Sequence, residues 1–210
     1  MTTALGAQEV LRKVVATYSS MTSYSDTGQV LTRFNSTGKT YQITFSTLYQ
    51  KPSLFRFTSS RPHPYPPLSH VVTHHEAGHD GTAGYTVTRR PDGEIVRRSP
   101  IGLEEAVARA TGISRGAAHT IGRLLLAEVS GRSLLDSTDA RREEDVAIGE
   151  TLCYLIVSRG AKHVIDERLW IEKDSFVLRK VICRWEDHES EETRENIAID
   201  VPLDRSLFGT

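Results

Sequence analysis

Thr151-Leu152-Cys153-Tyr154-Leu155-Ile156-Val157-Ser158 carries apolar side chains on both faces, Leu152, Tyr154 and Ile156 on one and Cys153, Leu155 and Val157 on the other. Successive residues of a strand point to opposite sides, so this composition predicts a central strand covered on both faces. Three further strands are expected, at His163 to Glu172, Phe176 to Trp185 and Arg194 to Val201. They are separated by Arg159-Gly160, by Lys173-Asp174-Ser175 and by the acidic run from Glu186 to Glu192. Short connections pair neighbours antiparallel, so Glu150 to Phe208 reads as a meander.

Working back towards the start, Leu5, Val10, Leu11, Val14, Val15 and Tyr18 recur at helical spacing. They predict one amphipathic helix over Thr3 to Tyr18, with Thr2 or Thr3 as its N-cap. Strands follow at Gln29 to Phe34, Tyr41 to Tyr49 and Leu54 to Thr58. In the second, Tyr41, Ile43, Phe45, Thr47 and Tyr49 share a face, and in the third Phe55 and Phe57 oppose Arg56. The prolines between Arg61 and Pro67 cannot donate to a ladder and predict a loop or an edge crossing. Tyr85 to Arg90 and Glu94 to Arg98 form a hairpin around Pro91-Asp92-Gly93. A helical pair is then expected at Leu103 to Ala110 and Ala117 to Ala127, with Gly112 closing the first helix and Ser114 capping the second. Eight or nine strands with three helices make an α+β arrangement, and the absence of repeats or linkers predicts one domain over residues 1–210.

Composition narrows the function. Of 210 residues, 38% are hydrophobic and 25% charged, which suits a globular core. Lys and Arg total 26 against 27 for Asp and Glu, so the basic field that nucleic acid needs is missing. No window reaches the roughly 18 apolar residues of a transmembrane segment. Met1 to Gly6 has no basic stretch followed by an apolar run, so no signal peptide is expected there. Cys153 and Cys183 sit in strands with another strand between them, two ladder steps or about 10 Å apart, which predicts buried free thiols.

Two short patterns have catalytic counterparts. His75-Glu76-Ala77-Gly78-His79 fits H-E-x-x-H, which on a helix places two imidazoles on zinc with Glu76 as general base. Val71-Val72-Thr73 before it and the glycines after it argue against a helix. The bland alternative is a polar, glycine-rich loop continuing the histidine-rich segment 63–79, in which His63, His70 and His74 lack the spacing of a third ligand. Gly112-Ile113-Ser114-Arg115-Gly116 fits the G-x-S-x-G nucleophile elbow, but a helix rather than a strand precedes it, and caps at a helix boundary account for the same letters. Arg89, Arg90, Arg97 and Arg98 could bind an anion, although Asp92 and Glu94 between them fit a solvated hairpin. The acidic run after Trp185 reads as a solvated turn.

The order of elements resembles the lipoprotein-carrier, LolA-type family. The resemblance is carried by the helix ending at Tyr18-Ser19-Ser20-Met21, then Tyr24-Ser25-Asp26-Thr27-Gly28 and Phe45-Ser46-Thr47. It continues through Lys51-Pro52-Ser53-Leu54-Phe55-Arg56-Phe57, Leu169-Trp170-Ile171-Glu172 and Phe176-Val177-Leu178-Arg179-Lys180. It implies a curved antiparallel sheet, an incompletely closed β-barrel, with helices as a lid over an apolar cavity. It also implies a location in the periplasm or cell envelope, a possible membrane-associated partner, and acyl chains of lipids or lipoproteins as cargo. The expected function is a non-enzymatic carrier without cofactor, its apolar ligand lined by Phe45, Phe55, Phe57, Leu155 and Trp170. A zinc hydrolase on His75, Glu76 and His79 and a purely structural or partner-binding domain are the alternatives.

Overall fold

The computed structural model describes residues 5–63, 66–131, 133–137, 139–159 and 164–209. The first helix, α1 (Ala7–Ser20), starts later than its periodicity predicts, and Thr2 and Thr3 lie outside the described residues. Gly6 takes the cap position, and its backbone N–H donates to the Glu9 carboxylate at 2.8 Å. That bond satisfies an end donor and sets a negative charge in the first turn, where the helix dipole favours it. Val10, Leu11, Val14 and Tyr18 form the buried stripe.

Six strands follow: β1 (Ser23–Phe34), β2 (Thr40–Gln50), β3 (Leu54–Pro62), β4 (Val72–Asp80), β5 (Gly84–Arg89) and β6 (Ile95–Ile101). Three helices come next, α2 (Leu103–Ile113), α3 (Ala117–Leu125) and the single turn α4 (Ala127–Ser130). The chain returns through two short strands, β7 (Arg141–Arg142) and β8 (Val146–Ile148), and four longer ones, β9 (Thr151–Ser158), β10 (Asp166–Glu172), β11 (Leu178–Arg184) and β12 (His188–Ile199).

All pairings are antiparallel, in the order β6-β5-β4-β3-β2-β1-β12-β11-β10-β9-β7, with β8 also on β9. Two meanders are thus joined where the first strand meets the last. The sheet does not close, because β6 and β7 are its two edges. The segment α2 to α4 carries the chain from one edge to the other, which is why helices interrupt the strands in sequence. The core lies between these helices, α1 and one face of the sheet, and draws Tyr24, Val30, Ile43, Phe45, Phe57, Val107, Ile121 and Leu169 together.

Several expectations are corrected. Segment 72–80 is a strand rather than a loop, since β3 offers it a nine-residue edge running from Leu54 opposite Asp80 to Pro62 opposite Val72. Arg61 and Pro62 accordingly belong to β3; residues 64 and 65 lie outside the described residues. The acidic run is mostly strand, because β12 begins at His188. β9 is not central: its buried residues stand one place from the edge, covered laterally by β7 and β8, and Leu152 is exposed. The strand expected from His163 starts at Asp166, and residue 163 is not described.

Candidate functional site

Three charged side chains meet beneath α3. β1 and β12 run side by side with Gly28 opposite Arg194 and Val30 opposite Glu192, so Asp26, Gly28 and Val30 share a face with Glu192 and Arg194. The Arg194 side chain is wholly buried and is ion-paired through Nη1 with Asp26. Its Nε donates to Glu192 at 2.6 Å and its Nη2 to the carbonyl of Ala117 at 2.7 Å. Thr120 donates to the other Glu192 oxygen at 2.9 Å, and Tyr24 donates to Asp26 at 2.6 Å. One guanidinium thereby ties the first turn of α3 to both central strands. Burial opposes the charge on Arg194, but Glu192 and Asp26 outweigh it and hold its pKa well above normal. Burial raises Glu192, only partly offset by Arg194 and Thr120. Burial also pushes Tyr18, which accepts from the Leu178 N–H at 3.2 Å, up to about 12.

Gly28 makes room for this arrangement. A Cβ there would stand 2.1 Å from the carbonyl oxygen of Thr193 and 2.4 Å from the Phe45 ring. Phe45 in turn stacks on Phe57 at 5.5 Å between centroids and lies under the Arg194 guanidinium at 4.9 Å. The charge therefore sits on an aromatic floor, where the ring face attracts it.

Beside the triad, a cavity of about 190 Å³ lies between α3 and β10 to β12, with Thr120, Arg123, Glu167, Cys183 and Glu192 in its wall. Arg123 and Glu167 pair across it at 2.5 Å. A wider cleft of about 450 Å³ shares Arg115, Gly116, Trp185 and Ser190 with that cavity and adds Thr32, Arg61 and His188. A third, of about 350 Å³, lies between β4 to β6 and the end of α2, with His75, Arg98 and Arg109. All three have mixed polar walls. The apolar part of the concave face is filled instead by the protein's own helices, through Val107, Ala110, Ala117, Ala118, Ile121 and Leu124.

No protein-family model matches the chain, and no curated protein matches it in sequence. Among solved structures, LprF from Mycobacterium bovis overlays 94% of this chain and 94% of its own at TM-score 0.52 and 13% identity. The Mycobacterium tuberculosis lipoprotein LppX overlays 94% of this chain and 97% of its own at TM-score 0.51 and 13% identity. The chain shares the fold of LprF and LppX. A LolA superfamily protein from Nitrosomonas europaea covers 99% of both chains at 10% identity, but its TM-score of 0.40 adds no weight to that assignment.

Within this fold, Phe45, Phe55 and Phe57 lie together in the core on the helix-covered face. Leu155 and Trp170 are register partners on the opposite face, so they do not meet the three phenylalanines. Trp170 is half-buried under Lys180, whose ammonium stands 5.2 Å from the ring. His75, Glu76 and His79 fall on a strand, which points Glu76 away from both histidines and spaces the imidazoles roughly 13 Å apart. Glu76 is held by Arg56 at 3.0 Å, Arg89 at 3.4 Å and Tyr85 at 2.9 Å, while His79 Nδ1 lies 3.0 Å from the Ser53 carbonyl oxygen. The zinc geometry is therefore not formed.

Ser114 is buried at the α2–α3 corner, where its hydroxyl donates to Thr111 at 3.2 Å and accepts the Ala118 N–H at 2.9 Å. Gly116, not Ser114 as expected, takes the N-cap position of α3; Ser114 closes α2, which runs through Gly112 rather than ending there, and is no exposed nucleophile. Both cysteines are free thiols, but Cys183 is only partly buried and lines the cavity beside α3. Asp26, Glu192 and Arg194 were not anticipated. Their signal is the spacing by two of Ser190, Glu192 and Arg194, all buried, in a stretch whose charge suggests a turn.

Proposed function

We propose that the chain is a non-enzymatic carrier, acting as one unit over residues 1–210, for an apolar ligand such as the acyl chains of a lipid or lipoprotein. The observation that carries this reading is the construction of the concave face. Its apolar floor, with Phe45 and Phe57, is roofed by a separate helical excursion, α2 to α4, that bridges the two unpaired edges of an open sheet. An unclosed sheet with a separable roof can exchange side chains of the roof for an acyl chain of similar chemistry. Each buried CH₂ would contribute about 0.8 kcal/mol, enough for affinity without a catalytic group.

The roof is suited to such movement. It meets the floor partly through small side chains, Ala106, Ala110, Ala117 and Ala118, whose separation exposes less apolar area than that of large ones. Its polar attachments are the Arg194 and Glu192 contacts with Ala117 and Thr120 and the ion pair of Arg123 with Glu167 on β10. The LolA-type resemblance supports acyl cargo, and the dismantled zinc and serine motifs leave no competing chemistry on those residues. The test is titration with a fluorescent fatty-acyl probe, followed by hydrogen exchange. Saturable binding should change protection in α2 to α4 and leave β1, β2 and β12 unaltered. A protein that ignores the probe at solubility-limited concentration sinks the proposal.

A further inference from the structure

The wider cleft beside the α2–α3 corner has a composition that neither the core nor the buried triad explains. Arg61 on β3 and Arg115 at the corner both line it, both are exposed, and neither has a carboxylate partner among the described residues. Among the described residues no Asp or Glu lines the cleft; His188 in its wall contacts Asp187 through Nδ1 at 2.7 Å, and Glu167 and Glu192 line the adjoining cavity. Most other arginines near the clefts are paired, such as Arg109 with Glu105 and Arg123 with Glu167. Two unpaired guanidiniums facing one recess raise the local positive potential and leave donors unused.

The backbone aims one of them. Arg115 has φ 53° and the following Gly116 has φ 102°, both in the left-handed region that side-chain-bearing residues avoid. This turn sets the Arg115 guanidinium 5.3 Å from the Tyr41 ring centroid and 6.0 Å from that of Phe34. Stacked at the rim are Trp185 and His188 at 4.3 Å, and His188 and Phe34 at 5.4 Å. The floor supplies hydroxyls. Thr32 and Ser190 face each other across β1 and β12, and the Thr32 hydroxyl, on a residue 2% exposed, finds no hydrogen-bond partner among the described residues. A buried hydroxyl left unpaired at the base of a cationic recess is a feature that an anionic oxygen would satisfy.

We propose that this cleft binds a phosphate group, with Arg61 and Arg115 as its cationic ligands and Thr32 and Ser190 as its hydroxyl donors. Phosphate fits the donor set, because a tetrahedral anion with several oxygens can take planar guanidinium forks and hydroxyls at once. The cleft is contiguous with the cavity under α3 through Arg115, Gly116, Trp185 and Ser190. A phosphate held there can therefore head an amphiphile whose chain enters beneath the helical roof. This assignment rests on the carrier reading for the chain, but not for the phosphate.

The experiment compares lysophosphatidic acid with monoacylglycerol of the same chain by calorimetry, together with glycerol phosphate alone. The wild type should prefer lysophosphatidic acid by about a hundredfold, with Arg61→Gln and Arg115→Gln each removing about tenfold and the double variant removing the preference. Thr32→Val should weaken the phosphate ligand without lowering the melting temperature, because its hydroxyl has no partner to lose. Arg12→Gln, an exposed change on α1, should leave both affinities as they are. Glycerol phosphate binding as tightly as the lipid would keep the phosphate site and remove the lipid headgroup from it. Equal affinity for the two amphiphiles, or a preference that survives in the double variant, overturns the site and leaves the carrier reading standing. If none of the three ligands binds, both readings fall.

Discussion

Arg194 on β12 meets Asp26 on β1 with neither side chain exposed to solvent, so the strand pair that joins the two meanders is marked by a fully buried ion pair. A buried pair of this kind adds little over apolar packing of the same shape, yet removing one partner strands the other charge. Arg194→Met should therefore destabilise the fold by about 3–5 kcal/mol, read as a shift of the urea midpoint. Replacing Asp26, Glu192 and Arg194 together with apolar residues should recover most of that loss. A single Arg194→Met variant of wild-type stability would contradict the geometry.

Glu192 supplies a pH signature. Burial holds its folded pKa above the ordinary 4.5. The folded state thus binds the proton more tightly than the unfolded chain, so the contribution of Glu192 is complete below 4.5 and is lost as pH rises through the folded value. Glu192→Gln should flatten the decline of stability above 4.5, measured by urea unfolding across the acidic to neutral range. An unchanged slope would mean that Glu192 is not the group responsible.

Gly28→Ala should be severely destabilising, by more than about 3 kcal/mol, because its methyl would meet a backbone oxygen as well as the Phe45 ring. Shortening Phe45 to Leu in the same chain should not rescue it, since the Thr193 carbonyl remains. Rescue would show that the ring alone sets the constraint.

Metal content tests the strand geometry of β4. The wild type and the His75→Ala and His79→Ala variants should all bind zinc at the same trace level in elemental analysis, for the two imidazoles do not converge. Stoichiometric zinc lost in both variants would revive the hydrolase reading.

Much of the fold was legible because its strands follow the period of two. Tyr41 to Tyr49 and Leu54 to Phe57 reveal their buried faces directly, and Pro91-Asp92-Gly93 marks its hairpin. β12 was harder to read because Glu189 and Glu191 point outward to Arg184 and Lys180 while Glu192 points inward, giving one acidic run with two environments. Only the long-range register that sets Arg194 beside Asp26 turns those letters into a site. Segment 72–80 misled for a related reason: its pairing energy comes from β3 and β5, not from its own glycine-containing composition. Local pattern groups Leu155 and Trp170 with Phe45, because face assignment across separate strands depends on register, which local pattern does not carry.

The carrier reading is tested most directly by native mass spectrometry of the protein purified from a bilayer-containing host, with organic extraction of the same sample. The expected result is a discrete lipid adduct that dissociates on activation and appears in the extract. Bare protein with an empty extract, failing also to take up lipid when incubated with vesicles, would contradict it.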